Sequence, residues 1–245
     1  MLSHAEQEGS RVAVNAWGLN GNYGAYTADS RSLDVFVHDN PDFLPIFSAG
    51  DDPNQNASKV MAPSTAKNVL SIGASTTSPS GSVANFSANG PSLDGRVKPD
   101  LVAPGVSICS GRAEEAAIPV GLSCGSGTHL NGNGMYMSLT GSSQATAVAG
   151  GSVSLIREFI REEIGISTPA ASLIKAASIN GAIDLGTADI PNAVEGWGQI
   201  SVSNTVIPSY NGNALNTFHD NSRILSAGFS TLYQFDIDPS TGIDI

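Results

Sequence analysis

The chain has 245 residues, 40% of them hydrophobic and 13% charged, enough to bury a sizeable core as one large domain or as a domain with a fragment of a second. Its formal net charge of −11 and pI of about 4.5, without any block of lysine or arginine, exclude nucleic acid and anionic membrane as expected partners. No run approaches the roughly 18 apolar residues of a membrane span, and the first residues lack the charged and apolar regions of a signal peptide.

Residues 1–9 read as the last turns of a helix ending at Gly9. No capping residue begins that helix, so Met1 is expected to be an internal residue of a longer protein. A strand at 11–16, a helix around 30–38, and strands at 44–48, 69–73 and near 101–102 follow. This alternation predicts the α/β class, with a mainly parallel sheet and helices on both faces. Glycine and asparagine gather at 18–24, 51–58 and 123–134, the loops in which such a sheet presents a ligand site. A helix from Ser143 to Gly165 carries apolar Val148, Val153, Leu155, Ile156, Phe159 and Ile160, and 169–179 predicts a second helix. Gly196-Trp197-Gly198 opens a strand-like segment. From residue 208 the composition shifts to Asn, Ser, Thr and Gly with short alternating runs such as 231–237, the pattern of an all-β module's first strands. The expected division is therefore 1–206 and 207–245.

Ser143, in Gly141-Ser142-Ser143-Gln144-Ala145-Thr146, is the foremost candidate for chemistry. A turn of small residues opening into an amphipathic helix puts its hydroxyl at the positive, amide-rich helix end, where negative charge developing on a substrate is stabilised. The competing reading is a plain N-cap. A nucleophile elbow is excluded, because Ala145 stands where the second glycine of Gly-x-Ser-x-Gly belongs. Cys109 and Cys124 flank a loop rich in small residues. They read either as two free thiols or as one disulfide closing about 15 residues, worth roughly 3 kcal/mol in an oxidising compartment. Gly132-Asn133-Gly134 lacks the strand and helix that frame a phosphate loop, and the sequons at Asn56 and Asn85 matter only in a eukaryotic secretory setting.

Seven runs, in this order, carry a family resemblance: Asn15-Ala16-Trp17-Gly18, Phe47-Ser48-Ala49-Gly50-Asp51, 62–68 (APSTAKN), 86–91 (FSANGP), 94–105 (DGRVKPDLVAPG), the Ser143 run, and Gly196-Trp197-Gly198. Together they resemble the subtilisin-like serine proteases (subtilases), most of all the branch with a β-sandwich after the catalytic domain, over residues 5–206. The resemblance implies a subtilisin-like α/β fold and a serine endopeptidase in which Ser143 forms the acyl-enzyme. It implies that Ala16, Trp17 and Gly18 pair with the substrate backbone, and that Ser48, Ala49 and Gly50 form the second wall of the primary specificity pocket. For the Trp17 ring, a core-packing role is the alternative. Asp51 would face the oxyanion beside the backbone N–H of Ser143. A peptide or protein is the implied partner, and the implied location is extracellular. No cofactor is expected; the calcium that often accompanies the family finds no recognisable ligand pattern here, and no metal residues are assigned.

Departures from the family pattern carry their own expectations. A subtilase draws its catalytic Asp and His from a region upstream of the matched motifs, and His4, His38, His129 and His219 lie in none of them. The chain thus corresponds to the C-terminal two-thirds of a catalytic domain, and a serine without a base is a poor nucleophile, so it is expected to be inactive alone. Asp51 stands where most relatives have an asparagine that donates to the oxyanion. A carboxyl donates only when protonated, which implies an acidic working pH; the alternative is a surface turn over 51–54. Gln144 replaces a frequent methionine and cannot form a sulfoxide, so peroxide is expected to spare activity through this site. Ala147 replaces a common proline in the helix's first turn, a change that alanine's helix propensity tolerates. The rival function is a pseudoprotease that binds peptides, or acts as a structural partner, without chemistry.

Overall fold

Four apolar runs, β1 (Val12–Asn15), β2 (Leu44–Ser48), β3 (Leu70–Ser75) and β4 (Leu101–Pro104), lie side by side as a parallel sheet in the order β1-β2-β3-β4. The structure is a computed structural model that describes residues 2–52, 54, 56–77, 81–113, 124, 135–186, 188–207, 209–210, 213–214, 219 and 221. β2 and β3 are buried along their whole length, as strands covered on both faces should be. The pairings Val12↔Leu44, Ile46↔Leu70 and Ile72↔Leu101 align one apolar face.

The long helix α3 (Ser142–Glu162) covers that face, after α1 (Leu2–Gln7) and α2 (Ala28–Asp39) earlier in the chain. Its Ala145, Ala149, Val153, Ile156 and Ile160 are fully buried against Leu44, Ile46, Leu70, Ile72 and Leu101. Burying a side chain of leucine or isoleucine size stabilises the fold by about 1.5–3 kcal/mol relative to exposure. Leu155, expected in the apolar stripe, is instead 54% exposed. The spacing explains it: at 3.6 residues per turn, position 155 falls on the side away from the line through 149, 153, 156 and 160. On the other sheet face Phe47 packs with Ala66, Val69 and Leu33 of α2.

Helix α4 (Ala171–Asn180) is tied to the sheet by charge. Asp100 at the head of β4 accepts from Lys98 Nζ at 2.8 Å, from Lys175 Nζ of α4 at 2.9 Å and from the Ser71 amide at 2.7 Å. Burial alone would raise the Asp100 carboxyl, but the two ammonium groups outweigh it and hold it below its usual range. Burial pushes Lys98 down to about 8.

β2 matches its expected limits, the other element ends lie within three residues of theirs, and three features differ in kind. The segment 196–198 is a glycine turn, with Gln199 bridging Val102 and Ile183. The antiparallel pair β5 (Ile108–Gly111) and β6 (Tyr136–Leu139) and the short helix α5 (Val202–Val206) have no counterpart in the sequence reading. Their runs of four or five residues, mostly exposed in the two strands, carry too little periodicity to register. Cys109 of β5 and Cys124 form a disulfide, with Cα atoms 5.5 Å apart. Beyond α5, β7 (Ser209–Tyr210) and β8 (Asn213–Ala214) pair antiparallel, and the run 231–237 lies outside the described residues.

Candidate active site

All of the sequence-derived candidates sit at one edge of the sheet, beyond the carboxyl ends of its strands. β1 runs into Ala16, Trp17 and Gly18, β2 ends on Ser48 before Ala49, Gly50 and Asp51, and the loop after β4 meets the start of α3. Open α/β sheets present ligands at this edge.

The Ser143 position is fixed by the close approach of two glycines. Gly141 donates its N–H to the Gly105 carbonyl at 2.9 Å. A Cβ on Gly105 would lie 2.7 Å from the Gly141 oxygen and 2.9 Å from Ala74 Cβ, so only glycine lets the helix start this close to the sheet. α3 therefore begins at Ser142, one residue earlier than expected, and Ser143 is its second residue. The Ser143 amide has no preceding turn to donate to and is one of the orphan donors of a helix N-terminus. Its hydroxyl is half exposed and donates to the Ala16 carbonyl at 3.0 Å. Ser142, its neighbour, is buried, and its hydroxyl shares a 2.7 Å hydrogen bond with Ser48.

Asp51 meets this helix end directly. Its Oδ1 accepts the Ser142 amide at 2.9 Å, so an exposed carboxylate caps the amide next to the candidate nucleophile. A Cβ on Gly141 would be 3.2 Å from Asp51 Oδ2 and 2.8 Å from Gln144 Oε1, which places both side chains over the same glycine. The loop holding Asp51 is braced by residues 86–88: Asp51 bridges Ser87, the Asp52 amide donates to the Phe86 carbonyl at 2.6 Å, and the Ala88 amide donates to Gly50 at 3.0 Å. Asp52, with no role foreseen from sequence, organises the same loop through the amides of Asn54 and Asn56 at 3.1 and 2.9 Å. The Asn56 backbone bond, joined by those from Asn54 and the Asn56 side chain, holds its carboxyl below the usual range against the pull of burial.

Trp17 is 49% exposed, with its ring edge-on to Phe47 at a centroid distance of 5.4 Å. It thus packs on the core with one side and is open to solvent on the other. Ser48, Ala49 and Gly50 are buried. Among the described residues no histidine hydrogen-bonds Ser143: His4 lies on α1, His38 in the last turn of α2, and His129 lies outside the described residues. Ser142 and Met61 also belong to this region but escaped the sequence reading. A serine before a helix reads as a cap, and a methionine carries no pattern of its own.

The subtilase family model matches residues 1–198. The serine protease/ABC transporter B family protein tagB of Dictyostelium discoideum is 25% identical over 283 aligned residues, covering 83% of this chain and 15% of that protein. Its relative tagA, from the same organism, is 32% identical over 176 aligned residues, covering 65% and 10%. The chain thus spans a small part of the length of these relatives. Among solved structures, a lanthipeptide protease superposes with a TM-score of 0.64 at 18% identity, covering 84% of this chain and 63% of that one. Fervidolysin from Fervidobacterium pennivorans, a keratinolytic enzyme related to subtilisin, gives 0.59 at 22% identity over 84% and 28%. These likenesses, parallel sheet included, are to the subtilisin fold, and with the family match over most of its length the chain belongs to the subtilase family.

Proposed function

We propose that this chain is part of a serine endopeptidase that hydrolyses peptide bonds through an acyl-enzyme on Ser143. The observation that carries the reading is the placement of the Ser143 hydroxyl at the N-terminus of α3, beside its own orphan amide and within one residue of the amide that Asp51 caps. Ser143 Oγ adds to the scissile carbonyl, the negative charge moves to the carbonyl oxygen, and the Ser143 amide with a protonated Asp51 receives it. Collapse expels the amine of the leaving peptide, and water then releases the acyl group. The substrate lies along Ala16, Trp17 and Gly18, with Ser48, Ala49 and Gly50 lining the pocket for its side chain. The proton leaving Ser143 requires a base, which we place with its carboxylate partner outside these 245 residues, so the chain alone is inactive. Acyl transfer of this type needs no cofactor. The Cys109–Cys124 disulfide supports an extracellular location.

One observation favours a second reading, a pseudoprotease that binds peptides without cleaving them: an ionised Asp51 offers the oxyanion no donor and already occupies the helix end. Incubating the protein, with its natural flanking sequence, with a mixture of denatured protein substrates separates the two. The protease reading expects internal cleavage that disappears in Ser143→Ala; retained cleavage in that variant, or binding without cleavage, rejects it.

A further inference from the structure

Gly18 and Gly50 face each other across the proposed cleft, and the side chain of Met61 lies between them. A Cβ built on Gly18 would sit 2.7 Å from Met61 Cβ and 3.2 Å from its Sδ, and one built on Gly50 would sit 2.6 Å from Cγ and 2.5 Å from Sδ. Carbon atoms in ordinary contact are about 3.5–4.0 Å apart, so the Met61 side chain occupies the space that a side chain on either glycine would need and leaves no room between the walls for another. The absence of side chains at 18 and 50 is thus matched by the presence of one at 61. Gly50 also has φ of 104°, a conformation that suits glycine.

The backbone around Met61 cannot withdraw without breaking hydrogen bonds to both walls. The Met61 amide donates to the Ala49 carbonyl at 2.8 Å, and the Leu19 amide donates to the Ala62 carbonyl at 2.7 Å. Only rotation about the methionine's own bonds could open the space, and that would displace it from contacts with both glycines.

We infer that Met61 fills the primary specificity pocket and restricts the residue on the amino side of the scissile bond to glycine, alanine or serine. This rests on the assignment of 16–18 and 48–50 as the substrate-binding walls. Peptide segments rich in such small residues are the substrate class that fits.

Binding can be measured without chemistry. The full-length protein carrying Ser143→Ala is titrated with fluorescently labelled product peptides that differ only in a C-terminal Gly, Ala, Leu or Phe. The Gly and Ala peptides are expected to bind at least about ten-fold more tightly than the Phe peptide, the discrimination that a few methylenes command in a shaped pocket. Met61→Gly is expected to reverse the order, tightening the Phe peptide by on the order of ten- to a hundred-fold. Met61→Ala, which keeps a β-carbon to brace the loop, should fall between. Equal or tighter binding of the Phe peptide by the parent, or an unchanged order in a folded Met61 variant, overturns the inference. Failure of all four peptides to bind either protein overturns the wall assignment itself, and this inference with it.

Discussion

At residue 51 a carboxylate accepts the Ser142 amide at 2.9 Å, so its negative charge sits against the positive end of α3. That arrangement stabilises the resting helix and opposes an oxyanion forming at the same place. An amide in its place changes both terms, since it has hydrogens to donate and no charge to repel. If the proposed function holds, Asp51→Asn should raise the rate of the full-length protein by on the order of a hundred-fold, the scale seen when one oxyanion donor is added or lost. Measuring kcat/KM of both proteins checks this; an unchanged or lower value in the variant contradicts it. Ser142 shows how finely position decides surroundings: its hydroxyl is buried on Ser48, while that of Ser143, one residue on, is half exposed beside the Ala16 carbonyl.

Among the elements, α3 is the organising piece, because one helix both roofs the sheet and carries Ser143, the proposed nucleophile. Its core-facing stripe was legible in the sequence as apolar spacing, and so was β2, whose residues 44–48 are matched by the strand's observed limits. Leu155 was misplaced because hydrophobicity alone does not fix the angle around a helix axis. The pair β5 and β6 was missed because nothing in its eight residues, five of them exposed, alternates cleanly. Pairings across distance are a further layer that no local pattern encodes. Asp100 joins β3, β4 and α4 through Ser71, Lys98 and Lys175, and in the sequence it appears only within a motif. Asp100→Asn leaves the buried Lys98 ammonium without its counter-charge, and it is expected to cost about 3–5 kcal/mol of stability. Equilibrium urea unfolding measures the loss; a midpoint unchanged from the parent would show that the ion pairs contribute nothing net.

For the whole molecule, the parallel arrangement of the strands does the gathering. Residues 16–18, 48–51 and 141–144 are far apart in sequence; the first two groups meet because β1 and β2 run parallel, and the third is brought to them by the bond from the Gly141 amide to Gly105, just after the parallel strand β4. The resemblance of seven ordered motifs made that meeting legible before any coordinates. What stayed hidden was how this edge is packed: the hold of Asp51 on the Ser142 amide and the approach of Met61 to Gly18 and Gly50 depend on side-chain volumes and directions, not on order along the chain. The proposed function stands or falls with Ser143 acting as a nucleophile at this edge. Treating the protein, in its natural full-length context, with a fluorophosphonate probe and mapping the adduct by mass spectrometry tests it most directly. The expected result is one covalent adduct, on Ser143, that vanishes in Ser143→Ala and forms faster in Asp51→Asn at neutral pH; an unlabelled Ser143 in the folded protein, or an adduct on another serine, would contradict it.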